Sequence, residues 1–351
     1  MKVLVTGGAG FIGSTLCHRL LDDGCRVVAL DLLTYAANPM TVAELNERAG
    51  FTLEIADVAD AGAVAAILQR HRPDRVIHLA AETHVDRSID SPGSFITTNI
   101  VGTYTLLEET LRYWRGLGGN ARQSFRVVLV STDEVFGSLG PDGVFDESSP
   151  YSPNSPYAAS KAASDHLARA WHATYGLPVV VTHCSNNYGP RQFPEKLIPL
   201  MITNASAGRS LPVYGDGGQV RDWLHVDDHA EALIAVMRRA APGAVYTIGG
   251  DSARANLDLV RALCAELDEA LPDSPHRPHA GLIVHVADRP GHDRRYATDS
   301  ARISAELGWS PRISFADGLA RTVRWYMDNP RWCAACGDAA ARRRGLGEGG
   351  E

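Results

Sequence analysis

The feature that most constrains this chain is its beginning. An apolar run, Lys2–Thr6 (KVLVT), passes directly into GGAGFIGS, with glycines at 7, 10 and 13. Ile12, Leu16 and Leu20 then recur every four residues. That order reads as buried strand, tight turn and helix. Gly7 permits the turn, and the bare backbone after it lets a pyrophosphate approach the free N–H groups of the helix start. Gly24 ends the helix, as a residue tolerant of left-handed backbone does. Arg26–Asp31 (RVVALD) is a second strand, and its terminal acid stands 18 residues after Gly13. A carboxylate there accepts hydrogen bonds from both hydroxyls of an adenosine ribose and repels a 2′-phosphate. The expected dinucleotide is NAD rather than NADP.

The rhythm continues. Phe51–Ile55, 75–79, 126–130 and 178–182 are further apolar runs, with helical patterns at 60–72, 97–115 and 157–175. Such alternation predicts an α/β fold of Rossmann type, a doubly wound parallel sheet with helices on both faces. After residue 185 prolines and glycines crowd the chain. A smaller C-terminal substrate-binding domain of loops and short elements is expected there. A helix at 228–239 and a strand at Val245–Ile248 are expected to rejoin the main sheet. The expected division is 1–187 for the cofactor, with 225–250 rejoining it, and 188–330 mainly for substrate. Residues 137–156 read as a turn-rich loop and a candidate lid, and 341–351 as a disordered tail.

Composition excludes several classes. The chain has 351 residues, with 34 Lys and Arg against 41 Asp and Glu, for a net charge of −7. That balance argues against binding nucleic acid by phosphate neutralisation. No apolar run approaches the roughly 18 residues of a membrane span, and the first strand is too short and too soon broken by glycine to be a signal peptide. Six scattered cysteines suggest no disulfide framework, so a reducing, cytoplasmic location is expected. One CxxC pair, Cys333 and Cys336, lacks the further ligands a zinc site needs. The 13 histidines show no HExxH spacing. No metal is expected.

Two constellations carry candidate chemistry. Tyr157 and Lys161 form YxxxK on a helical pattern, so both side chains lie on one face. An ammonium beside a phenol lowers the phenol's pKa and makes Tyr157 a candidate base toward a hydroxyl, while Lys161 is also placed to hold a nicotinamide ribose. Thr132, Asp133 and Glu134 follow the strand at 126–130, on the edge where open parallel sheets bind ligands. Two adjacent acids there read either as a solvated turn or as an acid and base with divided labour. Asp57, after the third strand, reads equally as a partner for an adenine amino group or as a helix cap.

GGAGFIGS, Asp31, AAETHVDRS, TNIVGTYTLLE, STDEVFG and YxxxK resemble the extended short-chain dehydrogenase/reductase superfamily. STDEVFG, SPYAASKAASDHL, SNNYGPRQFPEKLIP, VYGDGGQVRDWLHVDDH and DRPGHDRRY are similar, more narrowly, to dTDP-glucose 4,6-dehydratases. The similarity runs from about residue 2 to about 330. It implies a nucleotide-sugar 4,6-dehydratase, an NAD-dependent hydro-lyase with an internal redox cycle. Tyr157 would deprotonate the hydroxyl on sugar carbon 4 as hydride leaves that carbon. Glu134 would remove the proton on carbon 5, Asp133 would protonate the hydroxyl departing from carbon 6, and hydride would return to carbon 6. Thr132 would hydrogen-bond the oxygen on carbon 4.

The resemblance also implies the binding residues. Gly7, Gly10, Phe11, Ile12, Gly13, Asp31, Leu33, Thr34, Asp57, Val58, Leu79, Ala80, Ala81, Thr98, Tyr157, Lys161 and Asn187 would hold a tightly bound NAD. Thr83, Thr132, Asn186, Lys196, Leu197, Pro212, Tyr214, Arg221, Asn256, Arg289 and His292 would hold the nucleotide sugar. A homodimer through two helices per subunit, 97–115 and 157–175, is expected as well. Departures from the family pattern are Leu32 in place of Lys, Ala37 in place of Gly, Phe136 in place of Tyr and Thr83 in place of Ser. They leave the nucleotide and sugar open, with UDP-, CDP- or GDP-linked substrates and a 4-epimerase as alternatives.

Overall fold

The structure is a computed structural model, and it describes residues 1–337. The tail read as disordered, 341–351, lies outside the described residues. Twelve strands are formed among the described residues: β1 (Lys2–Thr6), β2 (Arg26–Asp31), β3 (Phe51–Ile55), β4 (Arg75–His78), β5 (Arg126–Thr132), β6 (Val179–Cys184), β7 (Asn186–Tyr188), β8 (Leu211–Tyr214), β9 (Val220–His225), β10 (Val245–Ile248), β11 (Ala253–Ala255) and β12 (Ile283–Val286). Seven of them make one parallel sheet in the order β10-β6-β5-β4-β1-β2-β3. The expected doubly wound α/β sheet is present.

Helices cover both faces, so the central strands read as unbroken apolar runs rather than alternating ones. Val3, Leu4 and Val5 of β1 have no exposed surface. The helix Phe11–Asp22 packs Leu16 and Leu20 against Val3, Val5 and the apolar face of Val226–Arg239. On the other face Leu106, Leu107 and Leu111 meet Val64, Ile67 and Leu68. Local chemistry sets the helix ends. Ser155 accepts from the N–H of Ala158 to cap Pro156–Tyr175, and Gly176 closes that helix at φ +72°, a conformation glycine takes without strain.

Because the strands are parallel, their carboxyl ends share one edge. Register aligns Thr6 with Leu30 and His78, and Thr132 with Cys184. The glycine turn, Asp31, Thr132–Glu134 and Cys184 are thereby brought to one crevice.

Two expectations need correction. The second half is not made of short pieces. It contains the helices Leu197–Ser206, Asn256–Ala270 and Phe315–Asp328, which enclose a core of Ile198, Met201, Leu259, Leu263, Leu319 and Val323. Their apolar spacing is helical but sits between glycine- and proline-rich turns that mask it. The loop 137–156 is not a free lid. Phe145 N–H donates to Ala297 C=O, Leu139 N–H to Arg295 C=O and Ser152 N–H to Val135 C=O. Glu147 accepts from both the N–H and hydroxyl of Thr247. The loop is a tether, and none of its residues lines either cavity described below.

The expected helix at 97–115 begins with a π-helical turn, Ile96–Val101, before regular α-helix from Gly102 to Arg115. Asn99 in that turn is buried. It accepts from the N–H of Glu82 and donates to Glu82 C=O and the Ser160 hydroxyl. Among the described residues no helix is long and apolar enough to cross a membrane.

Candidate active site

The glycine turn does two separable jobs. A Cβ at Gly13 would lie 2.0 Å from the Gly7 carbonyl oxygen, and one at Gly7, where φ is +70°, would strike the backbone of Ala80. Those two glycines are required by packing. A Cβ at Gly10 would meet only the Gly7 oxygen, at 3.4 Å. The bareness of Gly10 therefore opens the helix start rather than fitting it to the protein. No side chain caps that helix. The arrangement suits a diphosphate.

A groove runs from this turn across the strand ends. It is lined by Gly7, Gly10, Phe11, Ile12, Gly13, Asp31, Thr34, Asp57, Val58, Leu79, Ala80, Ala81, Thr98, Tyr157, Lys161 and Asn187. Every residue expected to touch a dinucleotide is there except Leu33. Leu33 instead turns the chain at φ +54° and donates its N–H to Asp31 Oδ1 at 2.8 Å. Asp31 Oδ2 accepts from Ala9 N–H at 2.9 Å. Each carboxyl oxygen keeps a second lone pair for a ligand hydroxyl. Burial raises the Asp31 pKa, and the two backbone donors oppose that rise. Asp57 Oδ1 accepts from Ala59 N–H, whereas Asp60 supplies the cap of the next helix. The side-chain amide oxygens of Asn186 (Oδ1) and Gln192 (Oε1) are buried in the groove wall with no partner in the protein. Such orphaned acceptors, the ribose-side carboxyl and the open helix start together fit NAD.

At the inner end lie Tyr157, Lys161, Thr132 and Glu134. Lys161 Nζ donates to Val130 C=O at 2.8 Å. The Thr132 hydroxyl donates to Asp133 Oδ1 at 3.3 Å and is the neighbour that acts to hold the Tyr157 pKa down. The expected lowering of the phenol pKa is not what this geometry produces. Burial drives the Tyr157 pKa well above its ordinary value, and the neighbouring Glu134, Cys184 and Asp133 add to that. Burial also lowers the Lys161 pKa. In a site this dry the lysine alone does not offset the surrounding acids.

Asp133 and Glu134 do not face solvent, which removes the solvated-turn reading. Asp133 is 1% exposed, with Thr298 Oγ1 at 3.4 Å from Oδ2. Its pKa lies well above the usual carboxyl range, first through burial and then through Glu134 and Asp222. Its side chain lines neither cavity and stands one layer behind Glu134. Burial raises Glu134 too, opposed by Arg289, Arg221 and Lys196. Glu134 lines both cavities.

The second cavity adjoins the groove. It brings together Thr83, Asn186, Lys196, Leu197, Pro212, Tyr214, Arg221, Asn256, Arg289 and His292. Those are all the expected sugar-nucleotide contacts apart from Thr132, which lines the groove. Three cations face it. Arg221 is buried, stacked 4.2 Å over the Tyr296 ring and donating to Val220 and Asp293 C=O. Arg289 donates to Asp86 at 2.9 Å, and Lys196 to Thr83 C=O at 3.1 Å. Burial and the nearby Arg289 lower His292 to about 4, even though Asp288 sits 2.6 Å away. The buried side-chain amide oxygen of Asn256 (Oδ1) has no partner in the protein. A diphosphate with a polar nucleoside suits this wall.

Known proteins are similar to this chain in sequence and fold. Residues 4–322 match the family model described as GDP-mannose 4,6 dehydratase. A dTDP-glucose 4,6-dehydratase of Xanthomonas campestris pv. campestris (strain B100) is 53% identical over 344 residues, 98% of each chain. The chain belongs to the dTDP-glucose 4,6-dehydratase family. Within it, the crystal structure of DesIV from Streptomyces venezuelae, with NAD and dTDP bound, superposes with a TM-score of 0.86. It is 46% identical and covers 96% of this chain and 100% of its own. A UDP-glucose 4-epimerase of Thermotoga maritima shares the fold at TM-score 0.81 and 27% identity, over 94% of this chain and 100% of its own.

Sequence reasoning missed part of the second cavity's lining. His84, Asp86, Gln192, Glu195, Trp223 and Tyr296 also line the second cavity. Their signal was present, since all lie inside motifs that carry the resemblance. Of the departures from the family pattern, Leu32 is 51% exposed at the groove rim. Phe136 packs its ring 4.8 Å from His183 and 5.3 Å from Phe145, where a hydroxyl is not needed for packing. Cys333 and Cys336 sit in the second core, with Asn38 donating to Cys336 Sγ at 3.1 Å.

Proposed function

We propose that this chain converts dTDP-glucose to dTDP-4-keto-6-deoxyglucose as an NAD-dependent hydro-lyase of deoxysugar biosynthesis. When bound, NAD supplies a hydride acceptor that becomes the donor later in the same cycle. Gly10, Asp31, Asn187 and Lys161 would be among the residues that hold it. Tyr157, once in its phenolate form beside the Lys161 ammonium, takes the proton of the hydroxyl on carbon 4, with Thr132 hydrogen-bonding that oxygen. The ketone so formed acidifies the proton on carbon 5, and Glu134 removes it. Asp133, kept protonated by its burial, provides the proton that lets the carbon-6 hydroxyl leave as water. The proton on Glu134 returns to carbon 5 as hydride returns to carbon 6. The proton gained by Tyr157 balances the one released from Asp133, so one water is lost and the cofactor is restored.

The single observation that carries this reading is the position of Glu134. It lines both cavities at their junction, next to Tyr157, with a neutral acid behind it. A 4-epimerase shares the fold but expels no hydroxyl and has no use for that acid. The deciding assay is dTDP-glucose with detection of a 4-keto-6-deoxy product by mass and by its alkali-induced absorbance. A galactose epimer in its place overturns the dehydratase reading, and a panel of UDP-, CDP- and GDP-sugars tests the base.

The same reading assigns residues 1–187 and 225–250 to cofactor binding and the remainder of 188–330 mainly to substrate. It also includes a homodimer. Ile96, Val101 and Tyr104 on one helix and Tyr175 on the next are large apolar side chains left exposed on adjacent helices, a surface that a second copy would bury. Six unpaired cysteines accord with a cytoplasmic enzyme.

A further inference from the structure

Asp86 takes part in none of the steps above, yet only 3% of its surface is exposed. It sits in the short helix Val85–Asp90, which follows β4 in the first half of the chain. Two side chains from the second half converge on it. Arg289 Nη1 donates to Asp86 Oδ1 at 2.9 Å, and the Tyr214 hydroxyl donates to Oδ2 at 3.2 Å. Tyr214 ends β8, and Arg289 lies just beyond the end of β12. Those two strands pair with each other, Val286 opposite Tyr214, and join neither of the larger sheets. Asp86, Tyr214 and Arg289 all line the second cavity. A single carboxyl thus ties the end of this small sheet to the first half of the chain at the cavity wall.

An arginine side chain is long and has many rotamers, so binding through one that is not already aimed costs entropy. Its guanidinium presents five N–H donors in a rigid fork. A donor given to Asp86 orients that fork and leaves others for a phosphate. Burial alone would lower the Arg289 pKa, and Asp86 and Glu134 more than offset it. The carboxyl needs the cation in its turn, because a buried carboxylate stripped of its partner is strongly destabilising. The Tyr214 hydroxyl fixes the carboxyl through its other oxygen. A bare carboxylate on this wall would repel a diphosphate. Paired, it holds in place the cation that attracts one.

We propose that Asp86 is a positioning residue for substrate binding, which through its bond to Arg289 aims the guanidinium at the diphosphate of the sugar nucleotide. That role rests on the reading of this cavity as the sugar-nucleotide site.

The test is the affinity of the NAD-loaded protein for dTDP in a double-mutant cycle of Asp86→Asn and Arg289→Met. Arg289→Met weakens dTDP binding by at least about tenfold, the loss of a charge-assisted contact. Asp86→Asn keeps the shape but removes the charge that holds the arginine. It weakens dTDP binding to a similar extent, and adding it to Arg289→Met costs almost nothing further. With dTDP-glucose, KM in Asp86→Asn rises more than kcat falls, because a diphosphate contact made alike in ground and transition states acts on binding. Thermal unfolding provides a readout without ligand. Arg289→Met strands the buried carboxyl and lowers Tm, and adding Asp86→Asn recovers part of that loss, a coupling that is measurable even where Asp86→Asn alone folds poorly. Tighter dTDP binding by Asp86→Asn would show that the carboxylate only repels substrate. Equal losses of affinity in both backgrounds, or strictly additive Tm losses, would show that it does not act through Arg289. Each of these overturns the proposal. Parental dTDP affinity in Arg289→Met would instead sink the reading of the cavity, and the proposal with it.

Discussion

Asp133 and Glu134 are neighbours in sequence but sit in different electrostatic surroundings. Glu134 has three cations across the cavity, whereas Asp133 has burial and two further acids. Two carboxyls whose environments differ in this way are how one site holds an acid and a base at the same pH. Asp133→Asn is expected to slow product formation by roughly 10²–10⁴-fold, the range for a general acid, read by kcat on dTDP-glucose. It should also raise Tm. The folded pKa of Asp133 is raised above its unfolded value, so the fold binds more protons there and loses stability as pH climbs through the unfolded pKa of about 4. Removing the group abolishes that loss, and the Tm gain should grow between about pH 4 and pH 7. A gain that is constant with pH would refute the assignment of a strained neutral acid. Glu134→Gln should stop elimination yet still permit oxidation at carbon 4, seen as nicotinamide absorbance that rises near 340 nm and stays. Turnover at the parental rate would remove Glu134 from the chemistry. The residue types were legible because STDEVFG follows a strand on the ligand-binding edge. Their protonation was not, because burial depends on Thr298, Asp222 and the arginines, which are distant in sequence.

At the scale of elements, the glycine turn was readable from spacing alone, since one strand, one turn and one helix complete it. What ties the groove's flanking segments together was not. Tyr35, four residues beyond Asp31, donates its hydroxyl to Glu195 at 3.2 Å and packs edge-on against Phe193 at 5.6 Å. Arg87 lies 3.9 Å over the Tyr35 ring. A latch therefore joins the segment after β2 to the segment after β7 beside the groove, which Thr34, Ala36, Phe193 and Glu195 line. Its partners are 160 residues apart, so no local pattern predicts it. A second tie reinforces it, with Trp332 Nε1 donating to Thr41 and Asn38 donating to Trp332 C=O. An enzyme that restores its cofactor in every cycle has no need to release it, and a closed latch is compatible with turnover. Tyr35→Ala removes both the hydrogen bond and the ring contact. It is expected to release bound NAD at least about tenfold faster, since losing about 1.4 kcal/mol of contact suffices. The measurement is dinucleotide retained per protein after dialysis against buffer. Retention equal to the parent's would show that the latch does not govern exit.

Over the whole molecule, the two halves of the chain cross rather than follow one another. β10 returns to the edge of the first sheet after β7, β8 and β9 have been laid down elsewhere. The sequence rhythm anticipated that return through the apolar run Val245–Ile248, but the pairings that shape the substrate cavity span far greater distances. Asp86 meets Arg289 203 residues later, and Thr83 meets Lys196 113 residues later. The cavity is thus walled by both halves, with the cofactor groove latched on one side. Such enclosure bears directly on an oxidation that must be reversed on the same substrate. An intermediate released before hydride returns would leave a reduced cofactor in the groove and stall the enzyme. The expected consequence is strict internal transfer. With a mixture of dTDP-glucose deuterated at carbon 4 and carrying 13C, and unlabelled dTDP-glucose, deuterium should appear at carbon 6 only in molecules that carry 13C. Mass analysis of the product separates the populations. Scrambling of deuterium into the unlabelled population would mean that substrate or cofactor escapes in mid-cycle, which neither the shared cavity wall nor the Tyr35–Glu195 contact would then be preventing.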